Sequence, residues 1–277
     1  MRTVDGLLKQ AKFRQAFESL PKGKTFRDLS TIIILPTRGT VEEKKDLICK
    51  KCKHKNEYIS STIHGLHPIF VEAWKRLIKP MNVPIIEMMI NGLEVGVAYT
   101  TAIEQILANP ALAKFKYVLT VEDDNIIPYI PNTQGPLMML YEDIEKGFDV
   151  AGGLYWTKGN PSMPLLYGDP KEVRGGKSKN EQAGMFKVRM DWQKMKEGPI
   201  ECNGMGMGFT LFKMDLFKDP RIEKPWFKTC NEHTPQGMKM YTQDLYFFEK
   251  IRKLGYRVCV DTRVKVGHLD VKSSIIY

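Results

Sequence analysis

Residues 117–121 read Tyr-Val-Leu-Thr-Val and run without a break into Glu122, Asp123 and Asp124. The run is rich in β-branched and aromatic side chains, so it is predicted to be a buried strand. Three acids at the end of such a strand repel one another and lose hydration. A positive charge among them relieves both costs. Hard divalent cations, Mg²⁺ and Mn²⁺ among them, bind carboxylate oxygen and bridge it to substrate phosphates. The competing reading is a solvated acidic turn that simply ends a strand, and a tripeptide does not by itself separate the two.

The surrounding pattern supplies context. Thr31, Ile32, Ile33, Ile34 and Leu35 form a second apolar run, stopped by Pro36, Thr37, Arg38 and Gly39. Further strands are predicted at 84–90, 148–155, 208–213, 256–260 and 264–267, and helices at 69–78, 97–107, 137–146 and 243–254, with Pro, Gly and Asn marking many of the breaks. A helix is also expected through the lysine-rich segment after Gly39, and a charged helical lead-in over 1–29. Residues 157–200 are dense in Gly and Pro and read as a long excursion of loops, a kind of segment that is often functional. Alternating strands and helices imply an α/β domain with a largely parallel sheet, here over 30–277 as a single domain behind the 1–29 extension.

Composition narrows the class without choosing the chemistry. The 277 residues are 43% hydrophobic and 27% charged, an ordinary globular profile. No apolar run approaches the ~18 residues of a membrane span, and residues 1–20 lack the features of a secretory signal. A cytoplasmic protein is therefore expected. The formal charge of +10 favours anionic partners such as nucleotides, nucleic acid or an acidic membrane face. Five cysteines imply no disulfide framework. Cys49 and Cys52 have the spacing of half a zinc site, but there is no second CxxC, and Cys230 with His233 is the only other close pair.

Two phosphate-binding motifs fail on inspection. A P-loop ending in Gly176-Lys177-Ser178 needs a glycine where Lys171 stands. The glycines at 204, 206 and 208 resemble a dinucleotide fingerprint, yet the third motif glycine is replaced by Phe209 and a strand is expected to follow.

Four segments in order carry more than any one alone. They are the loop at Pro36-Thr37-Arg38, the acids Glu122-Asp123-Asp124, the glycine-rich stretch 201–212, and Thr242-Gln243-Asp244 leading on to Gly267-His268. Together they resemble glycosyltransferases of the GT-A fold, similar to family 2 and its bacterial and phage relatives, over residues 31–270. The resemblance implies a nucleotide-diphospho-sugar transferase fold with a mixed, mostly parallel sheet flanked by helices. It implies a UDP- or GDP-type nucleotide-sugar donor with Mn²⁺ or Mg²⁺. Glu122-Asp123-Asp124 corresponds to the family's DxD motif, with Asp124 as metal ligand, Glu122 as a helper on the metal or the ribose, and Asp123 beside the donor. His268 corresponds to a further metal ligand and Asp244 to the general base of an inverting displacement. Lys158, in the loop Tyr155 to Pro161, stands where the family usually has a basic residue. The family's Arg-Asn pair is missing from 97–102, which leaves the diphosphate contact to Arg38 or Lys158.

The implied acceptor is a hydroxyl on a bacterial glycan, a lipid-linked sugar, or a modified base in phage DNA, the last requiring a flipped base. Plainer readings stand beside these roles. An Asp before an apolar helix is often only a cap, a single His is often only structural, and Tyr155, Trp156 and Trp226 suit core packing as well as sugar stacking. Two rival functions use the same residues: a non-catalytic carbohydrate- or nucleic-acid-binding protein on this fold, and a nucleotidyltransferase.

Overall fold

The apolar runs at 31–35 and 117–121 lie side by side as the second and third strands of a seven-stranded sheet. The computed structural model describes residues 27–37, 41–48, 55–62, 66–170, 185–234 and 237–277. In chain order the elements are β1 (Thr31–Thr37), β2 (Val41–Ile48), β3 (Lys55–Thr62), α1 (Pro68–Lys75), β4 (Ile85–Asn91), α2 (Val95–Ala108), β5 (Tyr117–Val121) and β6 (Asn125–Ile126). Then come α3 (Pro136–Glu145), β7 (Val150–Leu154), β8 (Leu166–Tyr167), β9 (Pro199–Cys202), β10 (Gly204–Met205), β11 (Phe209–Lys213) and α4 (Asp215–Lys218). The last are β12 (Cys230–Thr234), β13 (Gly237–Tyr241), α5 (Gln243–Lys253), β14 (Val258–Lys265), β15 (Gly267–Asp270) and β16 (Ile275–Ile276).

The sheet runs β4-β1-β5-β11-β7-β14-β9. β4, β1 and β5 pair in parallel, as do β7 and β14, while β11 and β9 run antiparallel to their neighbours. The fold is thus α/β with a mixed, mostly parallel sheet flanked by helices, as the sequence implied. Successive side chains of β1 alternate between the two faces. Ile32 and Ile34 join a core with Tyr99, Ile103 and Ile106 of α2 and Phe247, Phe248 and Ile251 of α5. Ile33 and Leu35 join a second core with Phe70 of α1 and Leu137, Leu140, Tyr141 and Ile144 of α3. A strand covered on both faces reads as a continuous apolar run, and each such side chain contributes about 1.5–3 kcal/mol when fully buried. Helix α2 starts where Glu94 caps it, its carboxylate accepting from the Val97 N–H at 3.0 Å.

Several expectations are corrected. The segment after Gly39 is a hairpin, β2 pairing antiparallel with β3 from Val41↔Thr62 to Ile48↔Lys55, and not a helix. Its Glu and Lys residues favour a helix locally, but cross-strand pairing decides the outcome. Two strands read at 256–260 and 264–267 are one strand, β14, with a register shift between Asp261 and Lys265, followed by β15. The hairpin of β12 and β13 and the edge strand β9 add to the predicted set. Arg38, Cys49, Cys52 and nearly all of the 1–29 lead-in lie outside the described residues; 27–29 are not helical.

Candidate active site

Because β1 and β5 are parallel and in register from Thr31↔Tyr117 to Ile34↔Thr120, they end on the same edge. Pro36 and Thr37 from β1 therefore face Glu122, Asp123 and Asp124 beyond β5. Leu93 and Val95 at the start of α2 and Gln243 at the start of α5 complete a cleft of about 300 Å³. In open α/β sheets the carboxyl edge of the strands is where ligands bind. The Thr37 hydroxyl is hydrogen-bonded to the Asn91 side chain at the end of the neighbouring β4.

The acids sit on a tight turn. The Glu122 N–H donates to Gly208 O at 3.0 Å, continuing the strand pairing, and the Asn125 N–H donates back to Glu122 O at 3.0 Å. Glu122 Oε1 accepts from the Tyr99 hydroxyl at 3.2 Å. Burial, then the nearby charges of Asp124 and Asp244, push the Glu122 carboxyl up to about 8. Asp123 lines the cleft. Asp124 is buried and accepts from Asn125 Nδ2 at 3.1 Å through Oδ1, while Lys158 Nζ lies 2.5 Å from Oδ2.

His268 reaches this point from far along the chain. Strand β15 pairs with β6, setting His268 opposite Asn125, and the Leu269 N–H donates to Asp124 O at 2.7 Å. His268 Nδ1 lies 2.6 Å from Trp156 O. A carbonyl only accepts, so Nδ1 carries a proton in this contact, and Nε2 lies 3.8 Å from Asp124 Oδ2. Metal-ligating histidines are typically oriented in this way, by a second hydrogen bond to a carbonyl or carboxylate.

Asp244 is buried in the first turn of α5, Oδ1 accepting from the Leu245 N–H at 2.8 Å and from the Thr242 hydroxyl. Burial raises its carboxyl, against the lowering effect of those hydrogen bonds. Its charge is felt at Glu122, Tyr155 and Tyr167, so it belongs electrostatically to the same site.

The glycine-rich stretch is shaped by close packing. A Cβ on Gly206 would collide with the Tyr155 hydroxyl, and one on Gly208 with the Asn125 side chain. The Tyr155 hydroxyl accepts from the Gly208 N–H at 2.9 Å, and its ring meets His268 edge to face at 5.4 Å. Tyr155 and Trp226 are thus core residues and not sugar platforms. Trp156 is half-buried against Trp192. Asn125, Tyr99 and the Trp156 carbonyl escaped the sequence reading, since a hydroxyl, an amide and a backbone oxygen carry no motif.

The donor set suits a divalent cation of the Mg²⁺ or Mn²⁺ type. Such ions take one or two protein groups and fill the rest of their shell with water and substrate phosphates. Asp124 Oδ2 and His268 Nε2 converge, and the buried Asn125 Oδ1 nearby has no hydrogen-bond partner among the described residues. Among the described residues no group of three or more His, Cys, Asp or Glu side chains is arranged around one point.

No protein-family model and no curated protein matches this sequence. Solved structures do resemble the fold. A structure of A197 from STIV is 17% identical over 89% of this chain and 92% of its own, with a TM-score of 0.48. GalNAc-T7 with UDP, GalNAc and Mn²⁺ is 9% identical over 88% of this chain but 44% of its own, at 0.45. UDP-glucose pyrophosphorylase complexed with UDP-glucose is 8% identical over 87% and 93%, at 0.44. At such identities and TM-scores the likeness bears no functional weight; the residues of the site have to carry that.

Proposed function

We propose that this protein is a glycosyltransferase that moves a sugar from a UDP- or GDP-type nucleotide-sugar to an acceptor hydroxyl, with Mn²⁺ or Mg²⁺. The observation that supports this most directly is the meeting of Asp124, His268 and Lys158 beside a cleft that opens on Pro36, Thr37, Glu122 and Asp123. A nucleotide-sugar fits the cleft's chemistry: an apolar end at Pro36, Leu93 and Val95 for a base, and an acidic end for a cation-bound diphosphate.

In this reading Asp124 and His268 hold the cation, with Glu122 as a helper. When bound, the ion neutralises the charge that develops on the departing diphosphate. Anchored by Tyr99, Glu122 helps either at the cation, as a carboxylate, or at the ribose hydroxyls, through hydrogen bonds. Lys158, with Arg38 from outside the described residues, draws the diphosphate by charge. Asp244 accepts the acceptor's proton: burial makes its carboxylate more basic, and the hydrogen bonds from Thr242 and Leu245 fix one oxygen. A base that deprotonates the attacking hydroxyl in a single displacement inverts the anomeric carbon. We read 30–277 as one domain working in the cytoplasm; among the described residues no helix is long and apolar enough to cross a membrane.

The test is a panel of nucleotide-sugars with Mn²⁺ or Mg²⁺, following slow donor hydrolysis. One donor is expected to turn over and release a nucleoside diphosphate, with activity lost in Asp124→Ala and His268→Ala. Release of pyrophosphate instead would move the assignment to a nucleotidyltransferase. Inert donors that also leave the melting temperature unchanged would sink both. Affinity for DNA that falls steeply with salt would favour a nucleic-acid acceptor over a glycan or lipid-linked one.

A further inference from the structure

We propose that Lys158 is the resident counter-ion of the site, that a divalent cation has to displace it, and that the released ammonium then takes the donor's diphosphate. This rests on the donor-and-cation reading above and adds an order of events to it. The argument starts from a single oxygen. Asp124 Oδ2 is approached by Lys158 Nζ at 2.5 Å and by His268 Nε2 at 3.8 Å. A cation bound by that oxygen and that nitrogen lies within a few ångströms of the ammonium. Like charges at such range, screened from water by a half-buried setting, repel strongly. Lys158 and the ion therefore exclude each other.

The surroundings permit the exchange. Asp124 does not depend on Lys158 for its place, because Asn125 Nδ2 holds its other oxygen at 3.1 Å and the Leu269 N–H holds its backbone at 2.7 Å. Lys158 stands on a loop, its side chain 30% exposed, and the next residue, Gly159, has φ +117° with open space where a Cβ would point. A four-carbon stem on such a loop reorients without moving a strand. The displaced ammonium remains next to the acids and meets the one anion a nucleotide-sugar brings, its diphosphate. Cation and nucleotide binding then reinforce each other, and the coupling is reciprocal.

Mn²⁺ titrated calorimetrically into the full chain, with and without UDP or GDP, tests this. In the wild type Mn²⁺ alone binds weakly and the nucleotide tightens it. Lys158→Met binds Mn²⁺ alone roughly tenfold or more tightly than the wild type, as expected when a competing charge is removed, and the nucleotide no longer tightens it as much. Lys158→Arg, which keeps the charge, behaves like the wild type. Lys158→Gln carries the same expectation as the methionine variant should that one fail to fold. Donor turnover by the wild type, together with Mn²⁺ affinity unchanged or weakened in the uncharged variants, overturns this inference alone. Failure of every form to bind Mn²⁺ with either nucleotide, with all donors inert, overturns it along with the proposed function.

Discussion

Two groups of acids, one wholly buried and one at the wall of a cleft, are placed differently in this protein. Asp143 on α3 and Asp261 on β14 are wholly buried. Arg263 grips Asp261 through Nε at 2.9 and 3.0 Å and its own N–H at 2.9 Å, while Lys146 Nζ lies 2.8 Å from Asp143 and Arg263 Nη2 lies 3.6 Å from it. Arg263 Nη1 also lies 4.0 Å from Glu142, and burial, with the neighbouring Asp261, pushes the Asp143 carboxyl up to about 7, so three acids share two bases inside the fold. Glu122, Asp123 and Asp124 instead line an open cleft, with Asp244 close enough to raise the Glu122 carboxyl. Buried acids held by bases on neighbouring elements, away from any cleft, serve the fold, and removing one partner of such a pair is costly. Buried charge turned toward a cleft is the pattern expected of a place where a ligand supplies what is missing.

The contrast yields measurements, the largest first. Asp244→Asn should lower sugar transfer by roughly 10²–10⁴-fold, the usual worth of a general base, while urea unfolding stays as stable as the wild type or gains. Asp261→Ala should do the reverse: a loss of about 3–5 kcal/mol in urea unfolding, as when one partner of a buried pair is removed, with kcat of the folded fraction kept. Equal stability losses in the two variants would erase the distinction between the clusters.

A smaller effect follows from pH. The Glu122 carboxyl is raised from 4.5 to about 8. The folded protein thus keeps a proton that the unfolded chain gives up, so this contribution to stability is full below pH 4.5 and is lost as pH rises toward about 8. Glu122→Gln lacks that slope, and the stability gap between it and the wild type should change across this window in urea titrations at several pH values. A gap that stays flat would mean that Glu122 titrates normally. Smallest is Tyr99→Phe. Losing one hydrogen bond costs about 1 kcal/mol, and because the Tyr99 hydroxyl favours the ionised carboxylate, the Glu122 titration should move still higher.

Much of this arrangement is legible in the residues. The apolar runs of β1 and β5 announce strands buried on both faces, and the punctuation after each marks where the chain turns at the sheet edge. Pro36, Glu122, Asp244 and His268 are picked out by the order of their segments and by the family resemblance that order carries, since locally Asp244 reads as a cap and His268 as an ordinary histidine. What local signals miss is contact across the sheet. Nothing near Tyr99 says that its hydroxyl meets Glu122, and nothing near Trp156 says that its carbonyl orients His268. The hairpin of β2 and β3 is missed for a related reason: its Glu and Lys residues suit a helix, and only a partner strand overrules them.

One consequence concerns how the site comes into being. β15 is not a member of the seven-stranded sheet; it pairs with β6 at Gly267↔Ile126 and His268↔Asn125 and with β16 on its other side. A chain cut after Val266 would still possess every strand of the large sheet, yet Asp124 would lose both its backbone donor and its imidazole neighbour. The large sheet and the Asp124–His268 contact thus rest on different strands, which sets the second apart as a separate step of assembly. The second is like a clasp fastened last: on the proposed function, its loss is expected to keep the circular dichroism of the large sheet and to abolish sugar transfer.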